Sequence, residues 1–154
     1  MENLNREELI SLIPEASELG WVPDLSPVGW IFYAGTPGQA IAYAHLFWPR
    51  FIEHDGCILR GEAFEIGNFE AWMKSTDNNR RSVEAVLNHL HILDIFGEAR
   101  IAPNLEQVLC LGRFLKATWG AKLQNEFPGK NITVSFPEDP EPDLVHYEIT
   151  FFQK

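Results

Sequence analysis

The chain has 154 residues, which is enough for one globular domain with its own core. Its content of 45% hydrophobic, 22% charged and 12% aromatic residues is ordinary for a globular protein and excludes disordered, collagen-like and disulfide-scaffold proteins. The formal net charge is −10, and a negatively charged protein is repelled by a nucleic-acid backbone. We therefore expect a single domain spanning residues 1–154 that binds no nucleic acid.

The cysteines and the N-terminal residues indicate a cytoplasmic protein. Cys57 and Cys110 have apolar neighbours in the sequence, as reduced core cysteines do. Residues 1–8 have no basic region and lead into no sustained apolar run, so no secretory signal is expected. Residues 25–49 contain no Asp, Glu, Lys or Arg, but prolines and glycines interrupt them. We expect a buried loop followed by a buried helix there, and no membrane span.

The first third of the chain is predicted to be a loop between two helices. Apolar spacing predicts a short helix over residues 6–12 that ends before Pro14. Residues 20–35 contain proline and glycine and are expected to form a loop. Thr36-Pro37 is typical of an N-cap followed by proline at the first helical position, and it predicts a helix that runs to Trp48.

A β-hairpin and two helices are expected in the middle of the chain. Asp55-Gly56 lies between two short apolar runs and suits a two-residue turn, because both residues tolerate positive φ. Asn68 is predicted to cap a short helix. A longer helix is predicted to start near Arg80, with a stripe of apolar residues that extends to Leu90 and ends before Asp94.

The last third is predicted to be one long helix and a second hairpin. Asn104 and Gln107 have the spacing of a capping box and are followed by apolar residues, including Trp119, at helical intervals. Residues 131–136 and 145–152 alternate apolar with polar side chains, as half-buried strands do. The predicted class is α+β, with helices packed on one face of a small antiparallel sheet built from hairpins.

Two groups of residues contain side chains suited to metal binding or catalysis, but the sequence argues against both functions. His89 and His91 form an H-x-H pair, but on the predicted helix their rings would point about 200° apart, so no metal site is expected. His54 and Cys57 would face each other across the predicted turn, yet no oxyanion loop or orienting group follows from the sequence. We predict no catalytic residue and no cofactor.

The strongest functional indication is the concentration of acidic residues. Residues 1–18 hold five acids and one base, and residues 138–143 hold four acids and no base. Exposed acids keep a protein soluble, but a proline-stiffened acidic loop also suits docking to a basic partner. The expected partner-binding residues are Glu138, Asp139, Glu141 and Asp143, together with the aromatic anchors Trp30 and Tyr33.

Two classes of function follow from these observations. The first is a non-catalytic interaction protein that binds, and in doing so neutralises, a basic protein, as an immunity protein blocks a basic toxin. This comparison is an analogy of type, not a resemblance of sequence. The second is a small enzyme or ligand-binding domain with an aromatic pocket between helices and sheet. The aromatic residues considered for that pocket are Trp21, Trp30, Tyr33, Trp48, Trp72 and Trp119.

Overall fold

The structure is a computed structural model that describes residues 4–19, 25–97, 102–139 and 141–154. Within these ranges the chain has six α-helices and two small antiparallel sheets, so the fold is α+β, as predicted. The chain divides into two compact units, residues 1–44 and 45–154. The expectation of one domain stays a prediction.

The first unit is helical. Its elements are α1 (Arg6–Ser11), a 3-10 helix (Pro14–Leu19), α2 (Pro27–Ala34) and the greater part of α3 (Pro37–Phe47). α1 begins with a capping box between Asn5 and Glu8, and it packs against α2. At α3, the Thr36 hydroxyl accepts a hydrogen bond from the Gln39 amide, so the predicted N-cap is confirmed.

α2 corrects the prediction of a loop over residues 20–35; residues 20–24 lie outside the described ranges. The Ser26 hydroxyl caps the helix by accepting from the Gly29 amide at 3.0 Å, and Pro27 takes the first helical position. This is the same signature that predicted α3, and the proline here starts a helix instead of preventing one. At the other end, a Cβ on Gly35 would lie 2.6 Å from the Ile31 carbonyl oxygen, so glycine is required there.

The second unit contains the sheets. Its elements are β1 (Phe51–His54), β2 (Cys57–Arg60), α4 (Ile66–Ser75), α5 (Arg80–Leu87), β3 (Leu90–His91), a 3-10 helix (Leu93–Phe96), α6 (Leu105–Glu126), β4 (Ile132–Ser135), a 3-10 helix (Leu144–His146) and β5 (Glu148–Gln153). β1 pairs with β2, and β5 lies between β3 and β4. Positive φ at Asp55 and Gly56 confirms the predicted turn, and the antiparallel pairing of β4 with β5 confirms the second hairpin.

The helix starts agree in part with the predictions. The capping box of Asn104 and Gln107 begins α6, as expected. α4 begins earlier than predicted, because the Glu65 carboxylate accepts from the amides of Gly67 and Asn68 and takes the N-cap role assigned to Asn68. An acceptor one turn upstream therefore displaces the predicted cap.

The predicted helix through Leu90 is wrong, because α5 ends at Leu87. Asn88 leaves the helix and binds two strands. Its side-chain amide donates to the carbonyl oxygens of Ile58 and Phe151, at 2.9 and 3.1 Å. The next residues then pair with β5 as strand β3. Hydrogen bonds to distant strands thus outweigh the helical periodicity of this segment.

The core of the second unit consists of two clusters, and β2 contributes to both. Ile58 packs with apolar residues of α6 and β5, whereas Cys57 and Leu59 pack with those of α4 and α5. Trp119 lies in the first cluster and is buried, as its place on the α6 stripe predicts. The strand β2 is therefore covered on both faces.

A buried carboxylate on α5 joins β2 to β5. Glu84 is fully buried, and its oxygens accept from the backbone amides of Ile58 and Gln153, both at 2.7 Å, and from the Gln153 side-chain amide at 2.6 Å. Asn88, one helical turn later, binds the same two strands. Together with the bond from the Gln153 side-chain amide to the Gly56 carbonyl oxygen at 2.8 Å, these two side chains supply hydrogen bonds that connect the two sheets, which do not share a ladder.

Candidate functional site

The most exposed apolar surface lies on residues 26–44, which we call the apolar segment. Six of the twelve exposed large apolar side chains in the described ranges belong to it: Val28, Ile31, Phe32, Tyr33, Ile41 and Tyr43. Phe32 is 81% exposed, Val28 75% and Ile41 63%. The prediction of a buried loop and a buried helix is therefore wrong. Apolar composition indicates that a surface will be covered, but it does not say whether by the same chain or by another.

The apolar segment has the composition of an interface centre. It contains no Asp, Glu, Lys or Arg, so covering it removes no full charge from water. Of the predicted anchors, Trp30 is half-buried and Tyr33 is exposed, and the ring of Tyr33 meets that of Phe32 edge to face at 5.1 Å. Exposed aromatic groups on a helix are the kind of side chain that supplies binding energy at protein interfaces.

The predicted acidic residues lie between β4 and the 3-10 helix that precedes β5; we call the described residues 137–139 and 141–143 the acidic loop. Glu138 is paired with two cations of α6, since its carboxylate lies 2.7 Å from the Lys116 ammonium and 3.6 Å from the Arg113 guanidinium. The hydrogen bond from Lys116 lowers the pKa of Glu138 below its ordinary value, and the charge of Lys116 acts in the same direction. Internal ion pairs thus already compensate this charge.

A buried tyrosine holds the acidic loop in place. The Tyr147 hydroxyl donates to the Asp139 carbonyl oxygen at 3.2 Å and accepts from the Glu141 amide at 3.1 Å. Asp143 accepts from the Val145 amide and caps the following 3-10 helix. Asp139 and Glu141 are exposed, and within the described ranges neither carboxylate has an ion pair. These two carboxylates are therefore open to solvent.

The structure gives Cys57 no support as a nucleophile. His54 and Cys57 are opposite one another on β1 and β2, as predicted. The thiol is fully buried, and burial, with a smaller effect from Glu84, raises its pKa from 9.0 to about 11. The His54 ring packs against Phe64 and Phe69, each at 4.9 Å between ring centres. A protonated thiol in a core does not attack a substrate.

The aromatic residues expected to line a pocket differ in their burial and do not share one environment. Trp119 is buried in the core, whereas Trp48 and Trp72 are exposed on the second unit. Trp21 lies outside the described ranges. A surface cleft of about 610 Å³ on the second unit has other walls: His54, Asp55, Ile66, Phe69, Glu70, Met73, Lys74, Asp77 and Asn78. The predicted aromatic pocket thus has no counterpart in this cleft.

Sequence reasoning missed a group formed by His89, His91 and Glu148. The prediction that the two histidines point apart assumed a helix. In the structure His91 lies in β3, and the centres of the two imidazole rings are 5.3 Å apart. One potential ligand atom from each of the three residues lies within 4.8 Å of the other two. The signal was present, because residues 89–92 alternate polar and apolar side chains, as a strand does.

In the part of the chain that the structure describes, no helix is long and apolar enough to span a membrane. Comparison with protein-family models, curated proteins and solved structures finds no match to this chain.

Proposed function

We propose that this protein is a non-catalytic binding protein of the cytoplasm that captures, and so neutralises, a basic protein through its apolar segment. The observation that carries the proposal is the exposure of the segment: half of the exposed large apolar side chains in the described ranges lie on it. Large apolar side chains that stay exposed together on one segment of a protein are typical of interaction sites. The acidic loop has the subsidiary role of speeding encounter.

The negative charge of the protein supports the proposal that its partner is basic. The net charge of −10 attracts a cationic protein over several ångströms and speeds its association. Asp139 and Glu141 are exposed on a loop that Tyr147 anchors, so little entropy is lost when a partner fixes them. Electrostatic attraction of this kind acts on the association rate, while the aromatic anchors act on dissociation.

A protein fits the apolar segment better than a membrane surface does. Helices that lie in a lipid interface carry lysine and arginine on their polar face, and the apolar segment has none. The net negative charge also repels anionic lipid headgroups. Binding to anionic vesicles, measured by sedimentation, is the result that would favour the membrane instead.

Replacing two exposed residues of α2 tests the proposed surface. We expect Ile31→Ser combined with Phe32→Ser to lower the affinity for the captured partner at least about 30-fold, because truncating an interface anchor costs about 2 kcal/mol or more. The partner is captured from lysate of the source cell, identified by mass spectrometry and purified. Its dissociation constant for the wild-type and variant proteins is then measured by calorimetry.

The matched control is Val145→Ser, which removes an exposed apolar side chain from the second unit. This variant should bind the partner as the wild type does. Equal affinity of the wild type and the α2 double variant would exclude the apolar segment as the contact surface. A captured protein of acidic composition would contradict the proposed partner chemistry.

The acidic loop is tested through the association rate. Neutralising Glu138, Asp139, Glu141 and Asp143 together with Asn or Gln should slow association severalfold at about 50 mM salt and have little effect at about 500 mM, where screening is strong. Asp139→Asn with Glu141→Gln should account for most of the loss, because Glu138 is already paired with Lys116. Stopped-flow mixing with the partner measures both rates, and an unchanged rate at low salt would exclude the loop.

A further inference from the structure

We propose that His89, His91 and Glu148 form a binding site for a zinc ion, with three protein ligands and a fourth position open to water. The proposal concerns the second unit alone and is independent of the function proposed above. It rests on the placement of the three side chains, the orientation of the imidazole rings and the rigidity of the backbone that carries them.

Strand pairing brings the three side chains together. His91 and Glu148 are direct partners across β3 and β5, so their side chains leave the sheet on the same face. His89 precedes His91 by two residues, and its ring lies against that of His91. The neighbouring pair, Leu90 and Ile149, has the opposite orientation, and Ile149 is fully buried. The three polar side chains therefore share one outward face.

The spacing of the potential ligand atoms is close to that of a tetrahedral zinc site. His91 Nε2 lies 3.6 Å from a Glu148 carboxylate oxygen. Two ligand atoms at about 2.0–2.1 Å from a tetrahedral zinc are about 3.3 Å apart. The potential ligand atoms of all three residues lie within 4.8 Å of one another, so small side-chain rotations bring them into the first coordination shell.

Hydrogen bonds orient both imidazole rings for metal binding. Nδ1 of His89 binds the Val86 carbonyl oxygen, and Nδ1 of His91 binds the Val145 carbonyl oxygen at 2.8 Å. A carbonyl oxygen only accepts, so each Nδ1 carries the proton and each Nε2 has its lone pair available. Metal-binding histidines are held in this way, with the second ring nitrogen bonded to a backbone carbonyl or a carboxylate.

The backbone that carries the ligands is held before any metal binds. Asn88 is tied to β2 and β5 through its side chain, and the His89 carbonyl oxygen accepts from the Arg60 guanidinium at 3.1 Å. The next amide after β3, that of Ile92, donates to the Tyr147 carbonyl oxygen at 3.0 Å. A site on fixed elements loses little entropy on binding.

Two imidazoles and one carboxylate favour zinc over the alkaline-earth ions. Mg²⁺ and Ca²⁺ prefer oxygen ligands throughout, whereas two histidines with one carboxylate is a ligand set used for zinc sites with an open position. All three side chains reach solvent, so the fourth position is accessible to water. The ion would link the segment after α5 to β5.

The test is a titration of metal-free full-length protein with zinc chloride against a chromophoric chelator. We expect one equivalent of zinc to bind and the melting temperature to rise, because a ligand that binds only the folded state stabilises it. His91→Ala and Glu148→Gln should each weaken binding at least about tenfold, and His89→Ala with His91→Ala should abolish the stoichiometric site. Cobalt as a substitute should give the visible absorption of a tetrahedral site in the wild type and not in the double histidine variant.

The control variant is His45→Ala, which removes an exposed histidine of α3 and should bind zinc as the wild type does. Far-UV circular dichroism verifies that each variant is folded. Glu148→Gln keeps the shape of the side chain, so it tests the site even if a histidine variant unfolds. The proposal is overturned if the wild type binds no zinc equivalent, or if the double histidine variant or Glu148→Gln binds with wild-type affinity.

Discussion

Replacing Glu84 by alanine is expected to lower the free energy of unfolding by about 3–5 kcal/mol. The change leaves the buried backbone amide of Ile58 and the partly buried amide of Gln153 without an acceptor, and each such loss costs about 1–3 kcal/mol. The Gln153 side-chain amide loses its partner as well. Urea denaturation followed by tryptophan fluorescence measures the effect.

Two further variants make this measurement specific. Glu84→Gln keeps one acceptor oxygen but turns a donor toward the amides, so it should fall between the wild type and the alanine variant. Glu70→Ala, on the exposed surface of α4, should change stability by less than about 0.5 kcal/mol. A loss below about 1 kcal/mol for Glu84→Ala would mean that the carboxylate does not join the sheets.

Replacing Trp119 by alanine should cost about 3–5 kcal/mol, as expected for a large aromatic removed from a core. The ring is buried, meets Phe51 and Phe151 edge to face at 6.3 and 6.1 Å, and lies under the Arg60 guanidinium. Its indole N–H donates to the Leu46 carbonyl oxygen at 2.9 Å. Thermal and urea unfolding of the variant measure the loss.

Trp119→Phe separates packing from hydrogen bonding, since it keeps an aromatic ring and loses only the N–H and part of the volume. It should cost less than the alanine variant. Trp72→Ala, on the outer side of α4, is the surface control and should cost less than about 1 kcal/mol. Equal losses for Trp72→Ala and Trp119→Ala would contradict the assignment of Trp119 to the core.

Local signals in the sequence account for the elements that were predicted correctly. The capping box at Asn104 begins α6, and the Asp55-Gly56 turn sets the register of β1 and β2. The apolar spacing of α6 also places Trp119 inside. Each of these features depends on residues that are close in sequence, which is why a single sequence contains them.

The features that were missed depend on distant residues. Glu84 on α5 and Asn88 just after its end lie four residues apart, a spacing that also fits two polar groups on a solvated face. Their partners on β2 and β5 are 26 to 69 residues away in the chain. The same long-range bonds end α5 early, and His91 then lies in strand β3 with the His89 ring beside its own. Residues 80–87 alone contain no signal of these bonds, and only the alternation of residues 89–92 indicates the strand.

For the candidate binding surface, the sequence indicated composition but not exposure. The absence of charge in the apolar segment and the acidity of residues 138–143 are visible in the sequence. Neither reveals that Phe32 is exposed or that Lys116 and Arg113 neutralise Glu138. Exposure and ion pairing are properties of the folded chain. Because Glu138 is paired, we expect Asp139 and Glu141 to provide most of the loop's electrostatic attraction for a partner.

The central claim, that the apolar segment contacts a protein, is tested most directly by photo-crosslinking in the source cell. Benzoylphenylalanine placed at position 32 should give an adduct with one basic protein, and the same probe at position 145, also an exposed apolar site, should not. The absence of any protein adduct from position 32, or equal adducts from both positions, would contradict the claim.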